Sequence, residues 1–449
     1  MTRRGLILPL LALLLALVAT PAAAAAPAAS EPKPKTPIEH FLFLMQENHS
    51  FDNYFGTYPG ADGIPAGTCM PRNPTSNADN ECVKPFRLGD RAVVDLAHNE
   101  ETHFAQYRNG RMDGFVWAFG REGKRHGSIS MGYYDDKDIP YYWNVADEYV
   151  LFDRFFTSAH GGSVINHMYW VTGAPGIEGK RDAVPAEGWG DLPTIFDRLE
   201  EKGISWKFYV QNYDPKITFR TAQDSDRAAQ VVWVPLLGYA RYVDDPSLSK
   251  HIVDLDEYYR DLKRGTLPSV AYIVPSGASE HPPGSIKAGQ RFVRTLITEL
   301  MSSRYWDSSA FMWSYDDWGG WYDHVKPPKV DERGYGFRVP TLLVSAWAKR
   351  GYVDGTTLDF TSGPKFIEEN WGLRPLAARD AKANSFMSAF DFKAGPRQPV
   401  FLTTVRNPVS LAEPKRGVIY VAYAAALAIP LVLIAIAFMR MRRLAGAPA

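Results

Sequence analysis

Short apolar runs alternate along the chain with longer amphipathic stretches. Runs rich in β-branched and aromatic residues predict buried strands at 38–45, 204–210, 270–274, 310–313 and 341–345. A 3.6-residue spacing of apolar positions predicts helices at 192–202, 255–263 and 290–302. In the last of these, Phe292, Leu296 and Leu300 share one face, with Val293 and Ile297 beside them. Strands alternating with helices imply an α/β sheet covered on both faces. Ligands of such sheets gather beyond the carboxyl ends of the strands. The polar residues that follow each apolar run are therefore the first place to look for chemistry.

Both ends of the chain are apolar in a different way. Residues 1–26 combine Arg3 and Arg4, a short apolar run and an Ala-rich zone, the pattern of a secretory signal peptide. A Pro-rich linker covers 27–37. At the other end, 417–439 is an uncharged apolar run long enough to cross a bilayer. Arg440, Arg442 and Arg443 follow it and place the tail, 440–449, in the cytoplasm. The expected organisation is a catalytic domain at 38–390 outside the cell, a stalk at 391–416, and a single C-terminal membrane span.

The 449 residues carry 50 Lys plus Arg against 50 Asp plus Glu, a formal net charge of zero. That balance argues against a nucleic-acid partner. The 36 Gly and 33 Pro imply many turns, hence a loop-rich fold. Only two cysteines occur, Cys69 and Cys82, in a stretch rich in Pro, Asn, Thr and Ser. An exported chain meets an oxidising compartment, so one disulfide is expected between them.

Three segments carry candidate chemistry. Glu47 and Asn48 follow the first strand, where a carboxylate and an amide oxygen can both face a hard cation. The same stretch also reads as a turn in which Asn48 or Ser50 caps a helix. Asp316 and Asp317 follow the 310–313 strand. Adjacent carboxylates repel, and a metal ion or a basic side chain commonly offsets the cost. The abrupt change to Asp-Asp-Trp-Gly-Gly favours metal over a solvated acidic turn. Gly161, Gly162 and Ser163 open a helix-like segment whose first amides suit a phosphate group. Ser163 reads there either as a nucleophile or as an ordinary helix cap. His98, His103, His281 and His324 lie near these segments in sequence.

Taken together, these residues resemble a known family. Glu47-Asn48-His49-Ser50-Phe51-Asp52 with Tyr54-Phe55-Gly56 is similar to the opening motif of the bacterial phosphoesterases. That family joins non-zinc phospholipases C with related acid phosphatases, within the alkaline phosphatase-like hydrolases. Further matches follow in order: Met112 to Phe115, Pro140 to Trp143, Asn166 with Met168-Tyr169, Ser279 to Pro283, Asp323 to Val325, and Gly336 to Pro340. The resemblance implies an α/β/α sandwich with a mixed, mostly parallel central sheet. It also implies one divalent metal at the strand ends, held by Glu47, Asn48, Asp316 and Asp317. Oxygen ligation suits calcium, magnesium or manganese better than zinc. Ser163 aligns with the family nucleophile, which would form a phosphoserine. His281 matches a phosphate-site histidine, His98 the family's other histidine position, and His103 is a further candidate.

The chain also departs from the pattern. His49 and His167 stand where many members have Arg, and Asp317-Trp318-Gly319-Gly320 replaces a more acidic run of the phospholipase branch. These departures lean towards an acid phosphatase-like enzyme, with phospholipase C as the alternative. An inactive binding protein on the same scaffold is the rival from another class. It would be expected to have lost Ser163 or an acidic ligand, and all are present.

Overall fold

A computed structural model describes residues 31–76, 81–91, 93–120, 127–176, 183–225 and 227–406. Eight strands form one sheet: β1 (His40–Gln46), β2 (Val150–Phe152), β3 (Trp206–Val210), β4 (Ile252–Asp254), β5 (Val270–Val274), β6 (Ser309–Tyr315), β7 (Thr341–Ser345) and β8 (Tyr352–Asp354). Their order across the sheet is β8-β2-β7-β6-β1-β5-β3-β4. From β6 to β4 the neighbours run parallel, whereas β7 is antiparallel to both β6 and β2. The sheet is therefore mixed and mostly parallel. The central strands are buried throughout, which matches their unbroken apolar runs.

Seven helices matter here: α1 (Phe51–Phe55), α2 (Glu100–Tyr107), α3 (Pro140–Glu148), α4 (Ser163–Thr172), α5 (Ile195–Lys202), α6 (Asp256–Arg264) and α7 (Ile286–Met301). Alternation along the strands decides which side each helix covers. On one face, Phe43 and Tyr272 pack against Trp170 of α4, and Phe208 packs against Phe196 of α5. On the other face, Trp313 meets Tyr142 of α3 and Tyr209 meets Tyr258 of α6. Tyr258 in turn donates to the Leu296 carbonyl of α7. Helices thus lie on both faces.

The predicted elements recur with shifted ends. Helix 192–202 begins at Ile195, because Thr194 and Asp197 form a reciprocal capping box. Helix 290–302 begins a turn earlier, where Ser285 accepts from the Ala288 amide. Three-residue strands β2, β4 and β8 were not predicted, since a run that short leaves no periodic signal. Cys69 and Cys82 form the expected disulfide, with Cα atoms 5.4 Å apart. Beyond residue 390 the chain stays on the domain as far as Arg406. Arg397 pairs with Glu148 at 2.7 Å, and Asn144 donates to the carbonyl oxygens of Thr403 and Val405. The predicted signal peptide and the apolar run at 417–439 lie outside the described residues. Among the described residues no helix is long and apolar enough to cross a membrane.

One buried ion cluster ties the loops beside the sheet together. Arg338 is fully buried. Its Nε donates to both carboxylate oxygens of Asp323, at 3.0 and 3.2 Å, and its Nη2 donates to Asp52 at 3.1 Å. Its Nη1 donates to the carbonyl oxygens of Asp62 and Asp153, each at 2.8 Å. Removing one partner of such a group strands the others in a low dielectric. Arg338→Met is expected to destabilise the domain by about 3–5 kcal/mol, read by urea denaturation. A loss below about 1 kcal/mol would show that the cluster is solvated or repacks. Replacing both cysteines with Ser is expected to cost about 3 kcal/mol on the chain-entropy model, again by denaturation.

Candidate active site

Strands β1 and β6 pair in parallel with Gln46 opposite Tyr315, their last residues. The next residues, Glu47-Asn48 and Asp316-Asp317, therefore emerge side by side. All four are buried, at 3% exposure for Glu47 and 0% for the others. Asn48 has φ 65°, a left-handed conformation that Asn tolerates better than most residues. Ser50, not Asn48, caps α1, accepting from the Asn53 amide at 3.2 Å. Asn48 is thereby released to face the carboxylates. Gly319 has no alternative here: a Cβ on it would lie 2.2 Å from the Asn48 carbonyl oxygen.

Local amides hold the acidic pair. Asp316 Oδ1 accepts from the amides of Asn48 (3.3 Å) and Asp317 (2.8 Å), and Asp317 Oδ1 accepts from the Gly319 amide (2.7 Å). Asp316 Oδ2 is buried with no hydrogen-bond partner. Either end of the Asn48 amide can face the carboxylates, with opposite meanings. With its nitrogen inward it donates to Asp316 Oδ1 at 3.2 Å and Glu47 Oε2 at 3.0 Å, while its oxygen accepts from His98 Nε2. With its oxygen inward, three oxygen acceptors converge, an arrangement that a cation satisfies. Glu47, Asp316 and His167 also place one donor atom each within 4.8 Å of one another. Buried carboxylates, an orphaned oxygen and convergent donors fit a divalent cation.

Three histidines border this group. His167 Nδ1 is 3.8 Å from Asp316, and His98 Nε2 is 3.9 Å from Asp317. The His98 and His281 rings lie 5.9 Å apart. His98 Nδ1 sits 2.6 Å from the Leu96 carbonyl oxygen and His281 Nδ1 2.7 Å from that of Pro282. Donation from Nδ1 leaves Nε2 as the exchanging nitrogen of each ring. Asp95, His98 and His281 form a second, more open trio within 4.8 Å.

Ser163 is the first residue of α4 and is half-buried. Its approach is fixed by Asn166, whose Nδ2 donates to the carbonyl oxygens of Gly161 and Gly162, each at 3.1 Å. One turn on, His167 lies 2.9 Å from the Ser163 carbonyl oxygen, which joins the α4 N-terminus to the Asp316 side. Asn166 and His167 were not singled out as site residues from the sequence. The i+3 and i+4 spacing from Ser163 was the available signal. A cavity of about 440 Å³ opens beside Gly161 and Gly162, walled by Phe104, Tyr107, His160 and Tyr335 among others.

His103 is placed differently. Its ring stacks on His160 at 4.6 Å and packs against Tyr107, Trp318 and Phe337. Both its nitrogens are buried without a hydrogen-bond partner, and burial holds its pKa well below the ordinary value. It is a neutral residue packed among rings rather than a neighbour of the carboxylates. His49 is likewise neutral, pushed down to about 4 by burial, and its ring stacks on Tyr54. His324 belongs to the Arg338 cluster, 2.7 Å from Asp52. Glu280, beside His281, is buried among tyrosine hydroxyls. Burial raises its pKa to about 7 against the opposing pull of those hydrogen bonds.

Comparisons with known proteins bear on this arrangement. The chain is 28% identical to phospholipase C A of Mycobacterium tuberculosis over 433 residues, covering 81% of this chain and 79% of that protein. It is 27% identical to the non-hemolytic phospholipase C of Burkholderia pseudomallei, covering 80% of this chain and 59% of that protein. Among solved structures it is similar to a Vibrio parahaemolyticus protein of the alkaline phosphatase superfamily, at 13% identity and a TM-score of 0.37, over 79% of this chain and 71% of that one. The family model described as the Phosphoesterase family matches residues 38–374, spanning every segment of the site. The chain therefore belongs to the Phosphoesterase family and is a hydrolase acting on phosphoric ester bonds.

Proposed function

We infer that this hydrolase is a metal-dependent enzyme of the phospholipase C type, working through a phosphoserine, exported and tethered to the membrane. The observation that carries the reading is the buried convergence of Glu47, Asn48 and Asp316, with Asp317 next in the chain, beside the helix that begins at Ser163 and carries His167. Those four residues would hold the cation, with His167 as a further donor. A hard cation such as calcium, magnesium or manganese suits the oxygen-rich set. When bound it supplies charge neutralisation for the phosphoryl oxygens and favours the ionised Ser163 hydroxyl.

The chain's own residues account for the remaining steps. Ser163 Oγ, its proton released to solvent, attacks phosphorus, forming one P–O bond as the bond to the leaving alcohol breaks. His281, or its neighbour His98, gives its Nε2 proton to the departing oxygen. The first amides of α4 face the equatorial oxygens. Water then breaks the Ser163–phosphorus bond, returning a proton to Ser163 and another to the histidine. The cavity beside Gly161 and Gly162 takes the rest of the substrate, and its aromatic walls suit an apolar or amphipathic group.

The names of the relatives favour a phospholipid diester over a monoester. The second reading, an acid phosphatase-like monoesterase, rests on the departures at His49, His167 and Asp317-Trp318-Gly319-Gly320. Turnover of p-nitrophenyl phosphate, p-nitrophenyl phosphorylcholine and phosphatidylcholine, each with and without chelator, separates the two.

Ser163→Ala removes the attacking oxygen and leaves the acidic set in place. Metal content is expected to stay at the wild-type level while turnover falls by roughly 10³-fold or more. Asp316→Ala removes a charged ligand, so metal and activity are expected to fall together. Near-normal turnover by Ser163→Ala would leave direct attack by water as the better account. Full metal occupancy in Asp316→Ala would take Asp316 out of the ligand set. Tethering has its own check. Ending the chain after Glu413 is expected to release a soluble, active enzyme from the membrane fraction, and recovery only as inactive aggregate would defeat the anchor reading.

A further inference from the structure

Glu280 is 2% exposed, yet four side chains converge on its carboxylate. Oε2 accepts from the hydroxyls of Tyr54 (2.5 Å) and Tyr315 (2.8 Å). Oε1 accepts from the hydroxyl of Tyr142 and, at 3.4 Å, from the Gln46 side-chain amide. The origin of these donors is what gives the carboxylate its reach. Gln46 ends β1 and precedes Glu47. Tyr315 ends β6 and precedes Asp316. Tyr54 lies on α1, just after Asn48, and Tyr142 lies on α3. Glu280 itself precedes His281. One carboxylate is therefore bonded to the last residue before each acidic ligand pair and lies one peptide away from the phosphate-site histidine.

The backbone agrees. The Glu47 amide donates to the Ser279 carbonyl oxygen at 2.9 Å, and the Asp316 amide donates to that of Gln46 at 3.0 Å. His49 Nε2 lies 3.2 Å from the Glu280 carbonyl oxygen. Glu280 has φ 69°, a conformation that a non-glycine residue keeps only when its surroundings over-determine it. Room for the side chain is cleared by Gly289 on α7, where a Cβ would lie 2.0 Å from Glu280 Oε1. A buried carboxylate with two donors on each oxygen is a rigid joint, since losing a donor weakens a charge-assisted network that water does not reach.

We propose that Glu280 is a positioning residue for catalysis, whose carboxylate, gripped by Tyr54, Tyr142 and Tyr315, fixes His281 against the Glu47 and Asp316 strand ends. It touches neither substrate nor cation. It acts by keeping the His281 ring within reach of the departing oxygen, where a misplacement of about 1 Å costs on the order of 100-fold in rate. The proposal rests on the assignment of His281 as the proton donor.

The test exploits leaving groups. p-Nitrophenolate departs with little help, whereas an alkoxide needs the proton. Glu280→Gln keeps the shape but turns an acceptor into a donor against the tyrosine hydroxyls. It is expected to retain metal and KM while kcat falls about 10-fold on p-nitrophenyl phosphorylcholine and about 100-fold on phosphatidylcholine. Tyr142→Phe, a milder change that spares the fold, is expected to show the same skew at about a third of the size on the logarithmic scale. Equal losses on both esters, or a lowered Tm with kcat unchanged, would overturn the proposal and leave Glu280 a stability residue. His281→Ala is the control. A leaving-group skew there with none in the Glu280 and Tyr142 variants defeats this proposal alone. No skew in His281→Ala removes the acid assignment and the proposal with it.

Discussion

The register of β1 on β6 sets the problem that the rest of the site answers. With Gln46 opposite Tyr315, the chain cannot leave these strands without bringing Glu47 and Asp316 together in a buried place. Like charges at that spacing, out of water, repel strongly. Each nearby oddity of backbone or sequence serves that juxtaposition. Asn48 turns through a left-handed conformation so that its amide faces the carboxylates. Gly319 leaves the space into which the Asn48 carbonyl fits. Amides of Asn48, Asp317 and Gly319 each spend their hydrogen bond on an acidic oxygen. Such an investment of strain and amides suits a site and ill suits a structural turn.

Much of this was legible in the sequence because it depends on local order. The runs at 270–274 and 341–345 are strands with those same ends, and the polar residues following the strands at His40–Gln46 and Ser309–Tyr315 are the ones that converge. What the sequence withheld is tertiary. His103 stands five residues from His98, and spacing alone cannot say that one ring faces Asp317 while the other packs on His160 and Phe337. The question of whether Asn48 or Ser50 caps α1 is settled only by the backbone, since both residue types cap well. Glu280 drew no attention of its own, because its four donors are spread over positions 46, 54, 142 and 315. No window along the chain could have shown them together.

Two acidic clusters in this domain make the strongest physical contrast. Asp52 and Asp323 are as buried as Asp316 and Asp317, and with His324 they also gather three metal-capable donors. There, however, the counter-charge is built in. The Arg338 guanidinium spans both carboxylates and spends its remaining donors on carbonyl oxygens, so the group is closed and has no place for an ion. The Glu47 and Asp316 group meets imidazoles instead, at 3.8 and 3.9 Å, and Asp316 keeps a buried oxygen without a donor. An imidazole at that distance does not hydrogen-bond a carboxylate, whereas the buried guanidinium does. One chain thus contains two answers to the same electrostatic problem, a buried arginine that closes one acidic cluster and an open set of oxygens in the other that could take a cation.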